Sequence, residues 1–253
     1  MHRSAFRHAS LAVLLVAAFV PACFAASKQI IRSFPMSPTG SFQLDNVNGA
    51  VRIEGWDKNE IEVQALKSTP EEPSLLDLVA IEIDLTPTGV SVSTRYPQAQ
   101  GVEVAVDYVI HVPRHARLTH VNDINGTLRV FSLDSLGELH TVNGNIEVYE
   151  SSGNLHAHTT NGNIYVELKS PGDQRGAFAE TTNGSVVLAI PVDLPAELEA
   201  RCMNGSFSTE LPMVMTSAAQ PRTVHGVLGS GGAPIHLSTV NGTIRVVALR
   251  STI

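Results

Sequence analysis

The chain has 253 residues, 17 basic against 24 acidic, with 43% hydrophobic and only 5% aromatic side chains. That length is ample for one or two packed domains, and the acidic balance excludes nucleic acid as a partner, since phosphate neutralisation needs a basic face. Its two cysteines, Cys23 and Cys202, are too few for a disulfide framework.

Residues 1–25, "MHRSAFRHASLAVLLVAAFVPACFA", begin with Arg3 and Arg7, run through an apolar stretch from Ala9 to Val20 and end at Cys23-Phe24-Ala25. This is the layout of a secretory signal peptide. The stretch is shorter than the roughly 18 apolar residues of a permanent span, so no transmembrane helix is expected in the mature chain. An exported protein follows, periplasmic, surface-bound or secreted; "VPAC" also resembles a bacterial lipobox that would anchor the chain through a lipid on Cys23. Loss of Arg3 and Arg7 takes the formal charge from −7 to −9, 15 basic against 24 acidic residues.

Residues 26–39 read as a linker, and 40–117 as a strand-rich first part. "SFQLDNVNGAVRIEGWDKNEIEVQALK" carries one Asn48-Gly49 pair, and Pro70 and Pro73 then interrupt it, with a helical turn near Ser74 to Leu78. Alternating strands follow, punctuated by Pro87-Thr88-Gly89 and Pro97.

From 118 to 253 the chain reads as a β-strand repeat array. Asn-Gly recurs at Asn125-Gly126, Asn143-Gly144, Asn161-Gly162, Asn183-Gly184, Asn204-Gly205 and Asn241-Gly242, at spacings of 18, 18, 22, 21 and 37. The last interval leaves room for a further, degenerate unit around "TVHGVLGSGG". Residues two before the last five Asn (Thr141, Thr159, Thr181, Cys202, Thr239) and two beyond the last five Gly (Ile146, Ile164, Val186, Phe207, Ile244) are small or apolar. Between them lie polar residues, among them His140, His158 and Glu180. Period-two alternation marks half-buried strands.

Two all-β architectures fit. Asn-Gly in a type I′ turn would give an antiparallel meander. Stacking of each strand–Asn-Gly–strand unit on the next would give a β-solenoid, with the Asn side chains able to form an amide ladder. The like-on-like columns favour the solenoid. A last coil near "TIRVVALRSTI" would then leave an open strand edge.

These residues resemble a family. The recurrent "NG-x-I-x-V" units, "NGAVRIEGWDKNEIEV" and "VDYVIHVPRHARL" look like the bacterial "putative adhesin" family of β-strand-repeat domains of unknown function, over about residues 40 to 249. The resemblance implies a solenoid-like domain at the cell envelope and carries over no catalytic residue.

The sharpest polar constellation is His140, His156 and His158, flanked by Glu138 and Glu180. Imidazoles and carboxylates so spaced could hold zinc or copper, or could form an ordinary solvated strand face. Asn125, Asn183, Asn204 and Asn241 fall in Asn-Gly-Ser/Thr sequons, which corner chemistry explains. Cys202 replaces an inward Thr and reads as a buried thiol. Trp56 could be a recognition residue or cover a core end, and Pro212 to Pro234 could be a binding loop or a mobile excursion. No catalytic or cofactor motif appears, and the outward acids are scattered rather than paired as glycoside hydrolysis requires. The leading expectation is a non-enzymatic adhesin-like binding or scaffold protein whose partner is an unknown envelope or surface component, protein or glycan. An envelope-stress sensor or structural accessory is the alternative, and a carbohydrate-active enzyme the third reading. Oligomeric state is not legible.

Overall fold

Small and β-branched residues alternating with polar ones form nineteen strands among the described residues, 26–98, 101–172, 176–220 and 222–249 of a computed structural model. In the first part these are β1 (Ala26–Pro35), β2 (Ser41–Asp45), β3 (Val51–Trp56), β4 (Glu60–Thr69), β5 (Ala80–Thr86), β6 (Gly89–Arg95) and β7 (Ala105–Pro113). The repeats supply β8 (Arg117–Asp123), β9 (Leu128–Phe131), β10 (Glu138–Asn143), β11 (Ile146–Ser152), β12 (Leu155–Asn161), β13 (Ile164–Ser170), β14 (Ala177–Asn183) and β15 (Val186–Ile190). The last part holds β16 (Ala196–Thr209), β17 (Val214–Gln220), β18 (Thr223–Leu228) and β19 (Ala233–Ala248). The expected signal peptide, and Cys23 with it, lies outside the described residues. Among those described, no helix is long and apolar enough to cross a membrane; a 3-10 helix spans Pro73–Asp77.

Strand pairing decides between the two architectures. β10 and β12 run parallel with His140 opposite His158 and Asn143 opposite Asn161, and β11 and β13 run parallel with Ile146 opposite Ile164. A meander would instead pair β10 with β11 antiparallel across the corner, so the fold is a β-solenoid. One stack contains the strands before each corner and the other the strands after it. Between them Leu139, Ala157, Ile146, Ile164, Val148 and Val166 are buried in a continuous core.

The corners show why Asn and Gly recur. Asn125 donates from Nδ2 to Asn48 Oδ1 at 2.8 Å, and the relay continues Asn143 to Asn125, Asn161 to Asn143, Asn183 to Asn161, Asn241 to Asn183 and Asn204 to Asn241, all at 2.8–2.9 Å. The turns are not of type I′: of the seven corner glycines only Gly49 has a positive φ. Glycine is needed for close approach instead. A Cβ on Gly144, Gly162 or Gly184 would sit 1.8–1.9 Å from the carbonyl oxygen of the glycine one rung away, a separation no side chain can adopt.

A second column braces each corner from inside. Thr141, Thr159, Thr181 and Thr239 donate their hydroxyls to the carbonyls of Gly126, Gly144, Gly162 and Gly184 at 2.8–3.2 Å. Two rungs depart from this pattern. Cys202 is buried and turns its thiol to the Ser206 carbonyl, and burial raises its pKa above the usual thiol value. Asp123 is 1% exposed and neither carboxyl oxygen meets a hydrogen-bond partner. Burial pushes its pKa up to about 7; the nearby Ile124 N–H and Asn46 amide offset this only in part, and Asp107 adds to it.

Both ends depart from chain order. β2 and β3 lie between β6/β7 on one side and β8/β9 on the other. At the far end β14 and β15 pair with β19, not β16, and β16 stacks outside β19. Three expectations are corrected here. Residues 26–35 form β1, antiparallel to β4, where a linker was expected. "TVHGVL" is no degenerate coil: it forms β18, antiparallel to β16 and to β17, so the Pro212 to Pro234 excursion is largely a hairpin. Nor does "TIRVVA" leave an open edge, because it lies inside the stack between β15 and β16.

Candidate binding face

Outward residues of the first stack form two straight columns. Register aligns His120, Glu138, His156, Phe178, His236, Glu199 and His225 in one, and Asn122, His140, His158, Glu180, Ser238 and Arg201 in the other. Six of the chain's ten histidines therefore share one face. Alternation puts them there: every second residue of a strand points away from the core.

Neighbouring rungs bring these side chains into contact. The His140 and His158 rings stack with centroids 5.3 Å apart and planes 22° from parallel. His158 Nδ1 lies 3.9 Å from Glu180 Oε2, and His120 Nδ1 3.3 Å from Glu138 Oε2. His156 meets the Phe178 ring edge-on, and Phe178 stacks on His236 at 4.7 Å. His140 has its pKa lowered, first by partial burial and then by the neighbouring imidazoles of His158, His120 and His156.

His140, His156 and His158 do lie side by side, but not as a metal site. Imidazole lone pairs lie in the ring plane, so two rings stacked nearly parallel cannot aim them at one ion. His156 stands in the adjacent column with its ring against Phe178. Among the described residues no group of three or more His, Cys, Asp or Glu side chains is placed so that it could hold a metal ion.

Beside this face runs a groove of about 750 Å³ lined by Arg117, Glu138, Asn154, His156, Phe178 and Pro234, among others. A second cavity of about 320 Å³ lies at the far end, lined by Glu197, Glu199, His225 and His236. The sequence reading missed this second cluster, because β18 was taken for a coil and its His225 had no column to join. The positions of Glu199 and His236, five before their Asn, are the signal that could have placed two of its members.

The outer face of the second stack is aromatic. Arg52 lies 4.0 Å over the Phe131 ring, Phe131 stacks on Tyr149 at 5.0 Å, and Tyr149 meets Tyr165 at 5.3 Å. Trp56 faces outward against His111 at 5.0 Å, with Lys58 over its ring, and does not close the core. Because these rings cover one another's faces, they stiffen the sheet rather than offering platforms to a ligand.

The Toastrack DUF4097 family matches residues 81–247. No curated protein matches the sequence. Among solved structures, a "putative cell adhesion protein" from Clostridium sporogenes shares the fold, with TM-score 0.52 and 9% identity over 88% of this chain and 100% of its own. A "putative adhesin" from Bacteroides fragilis (TM-score 0.33) and a "putative lipid binding protein" from Parabacteroides distasonis (TM-score 0.31) each align at 11% identity over 88% of this chain and 97% of theirs.

Proposed function

The chain belongs to the Toastrack DUF4097 family, and from that premise we propose that it is an exported, non-enzymatic, adhesin-like binding or scaffold protein of the bacterial envelope. The observation that carries this reading is the histidine face: side chains held at fixed rung spacing on a rigid stack, beside a long groove. Regular columns suit an extended or repetitive partner, because each rung can offer the same contact one strand spacing further on. The basic start and apolar stretch of residues 1–25 support export, and the "putative cell adhesion protein" from Clostridium sporogenes shares the fold.

Fractionation followed by binding of the purified protein to isolated envelope tests the reading. The protein is expected in the periplasmic or surface fraction, and its envelope binding is expected to fall when Glu138, His156 and Phe178 are replaced together by alanine. A protein retained in the cytoplasm, or envelope binding unaffected by that triple variant, would overturn it.

A further inference from the structure

We propose that the open edge of β16 at residues 205–209 binds an extended segment of a partner polypeptide, which adds one strand to the second stack. β18 pairs with β16 only over residues 196–201, and the Cys202 N–H reaches the Arg222 carbonyl at 3.0 Å. Beyond that point, among the described residues, β16 pairs with β19 alone. The open edge expected near the end of the chain therefore exists, but on the strand outside β19.

The inter-rung interface that repeats along the array stops there half made. In inner rungs the corner glycine donates its N–H to the next rung's Asn carbonyl: Gly144 to Asn161, Gly162 to Asn183 and Gly184 to Asn241, at 3.0–3.1 Å. The apolar residue two beyond also donates to the next rung, Ile146 to Asn163 at 3.0 Å and Ile164 to Ser185 at 2.9 Å. Gly205 and Phe207 occupy these positions in β16, and no described rung follows to accept from them. Asn204 donates to Asn241, and its own Oδ1, the acceptor through which each earlier Asn holds the next, meets no donor among the described residues. Phe207 is only half-buried, whereas Ile146, Ile164 and Ile244 in its column are fully buried, so this flank of the core also lacks a cover.

What fits is a single strand. β18 and β17 carry the first stack two strands past β16, whereas the second stack ends at β16. A second copy docking end-on would bring its own hairpin against this one before the two edges met. Only a polypeptide backbone presents carbonyls at strand spacing to the Gly205 and Phe207 N–H groups. An apolar side chain against Phe207 and an amide reaching Asn204 Oδ1 would continue the two columns. The edge is also left undefended. Edge strands are ordinarily blunted by charge, proline or bulges: β1 carries Lys28 and Arg32, β5 carries Glu82 and Asp84, and β17 is interrupted by two register shifts. Residues 204–209, "NGSFST", have none of these.

A capped synthetic peptide of the chain's own inner rung, residues 157–168 ("AHTTNGNIYVEL"), is the probe, titrated calorimetrically into the purified protein. One equivalent is expected to bind, with slowed hydrogen exchange at the Gly205 and Phe207 amides. Ser206→Lys with Ser208→Lys puts charge on the edge and is expected to weaken binding by at least about tenfold. N-methylation of alternate peptide amides should weaken it similarly, which tests the same bonds on unaltered protein. Absence of saturable peptide binding overturns the proposal, as does binding that survives the double lysine variant. Dimers in sedimentation that the same lysines abolish overturn it too, by assigning the edge to a second copy. None of these outcomes bears on envelope binding through Glu138, His156 and Phe178.

Discussion

The middle of the solenoid and its two ends are built from the same rung but assembled differently. From β8 to β15 each rung stacks on the one made 18 or 22 residues earlier, so sequence neighbours are spatial neighbours. At the ends a rung is inserted: β2/β3 between β6/β7 and β8/β9, and β19 between β15 and β16. The Asn relay and close glycine contacts run through both regions. Rung chemistry is thus independent of chain order, and what distinguishes the ends is how many neighbours each rung has and which column residues depart from the rule.

Glycine substitution should separate the regions most. Gly162→Ala places a Cβ 1.9 Å from the Gly144 carbonyl oxygen in a rung held on both sides, and is expected to cost about 3 kcal/mol or more in denaturant unfolding. Gly205→Ala makes a still closer contact, 1.6 Å from the Gly242 carbonyl oxygen, but in the outermost rung, which can tilt away, and should cost only about 1–2 kcal/mol.

Asp123, at the junction between the first part and the array, should give a pH signature. Its pKa is raised from 3.8 to about 7 by burial, so between those values the folded state holds a proton that the unfolded state releases. Stability therefore falls as pH rises from about 4 to 7 and levels off above that. Asp123→Asn is expected to remove this slope, with a gain on the order of 2 kcal/mol at pH 8 and little change at pH 4, read from melts across the range.

The threonine column allows a comparison in opposite directions. Thr159→Val leaves the Gly144 carbonyl without its hydroxyl partner and should cost about 1–2 kcal/mol. Cys202→Thr at the end rung should restore the missing donor toward Gly242 and gain about 0.5–1 kcal/mol. The exposed amide ladder should show the smallest effect: Asn161→Ala removes two relay bonds and Asn204→Ala one, with losses of about 1 kcal/mol and roughly half that.

Much of this was legible in the sequence wherever the repeat was regular. Alignment on Asn put His140 with His158 and Thr141 with Thr159, because an 18-residue period fixes register as well as pitch. The ends were illegible for the same reason. A 37-residue interval resembles two coils as readily as a coil and a hairpin, and only non-local pairing distinguishes them. β1 escaped notice because it pairs antiparallel with β4, which in turn pairs antiparallel with β7, and no periodic column records either pairing. In the far-end cluster, Glu199 and His236 stood in a visible column, whereas His225 arrives on an antiparallel strand.

The internal position of β19 has a consequence in time. β16 is synthesised before β19, yet among the described residues its strand partners are β18 and β19, so its native place in the array does not exist until the sixteen-residue β19 does. The array behind it can close rung by rung as the chain emerges, but the last two rungs must form together, through contacts of long sequence separation that fold late. A chain cut short before residue 233 would lose more than one strand: β19 is the rung that joins β16 to β14 and β15, so the native order of the last rungs depends on it.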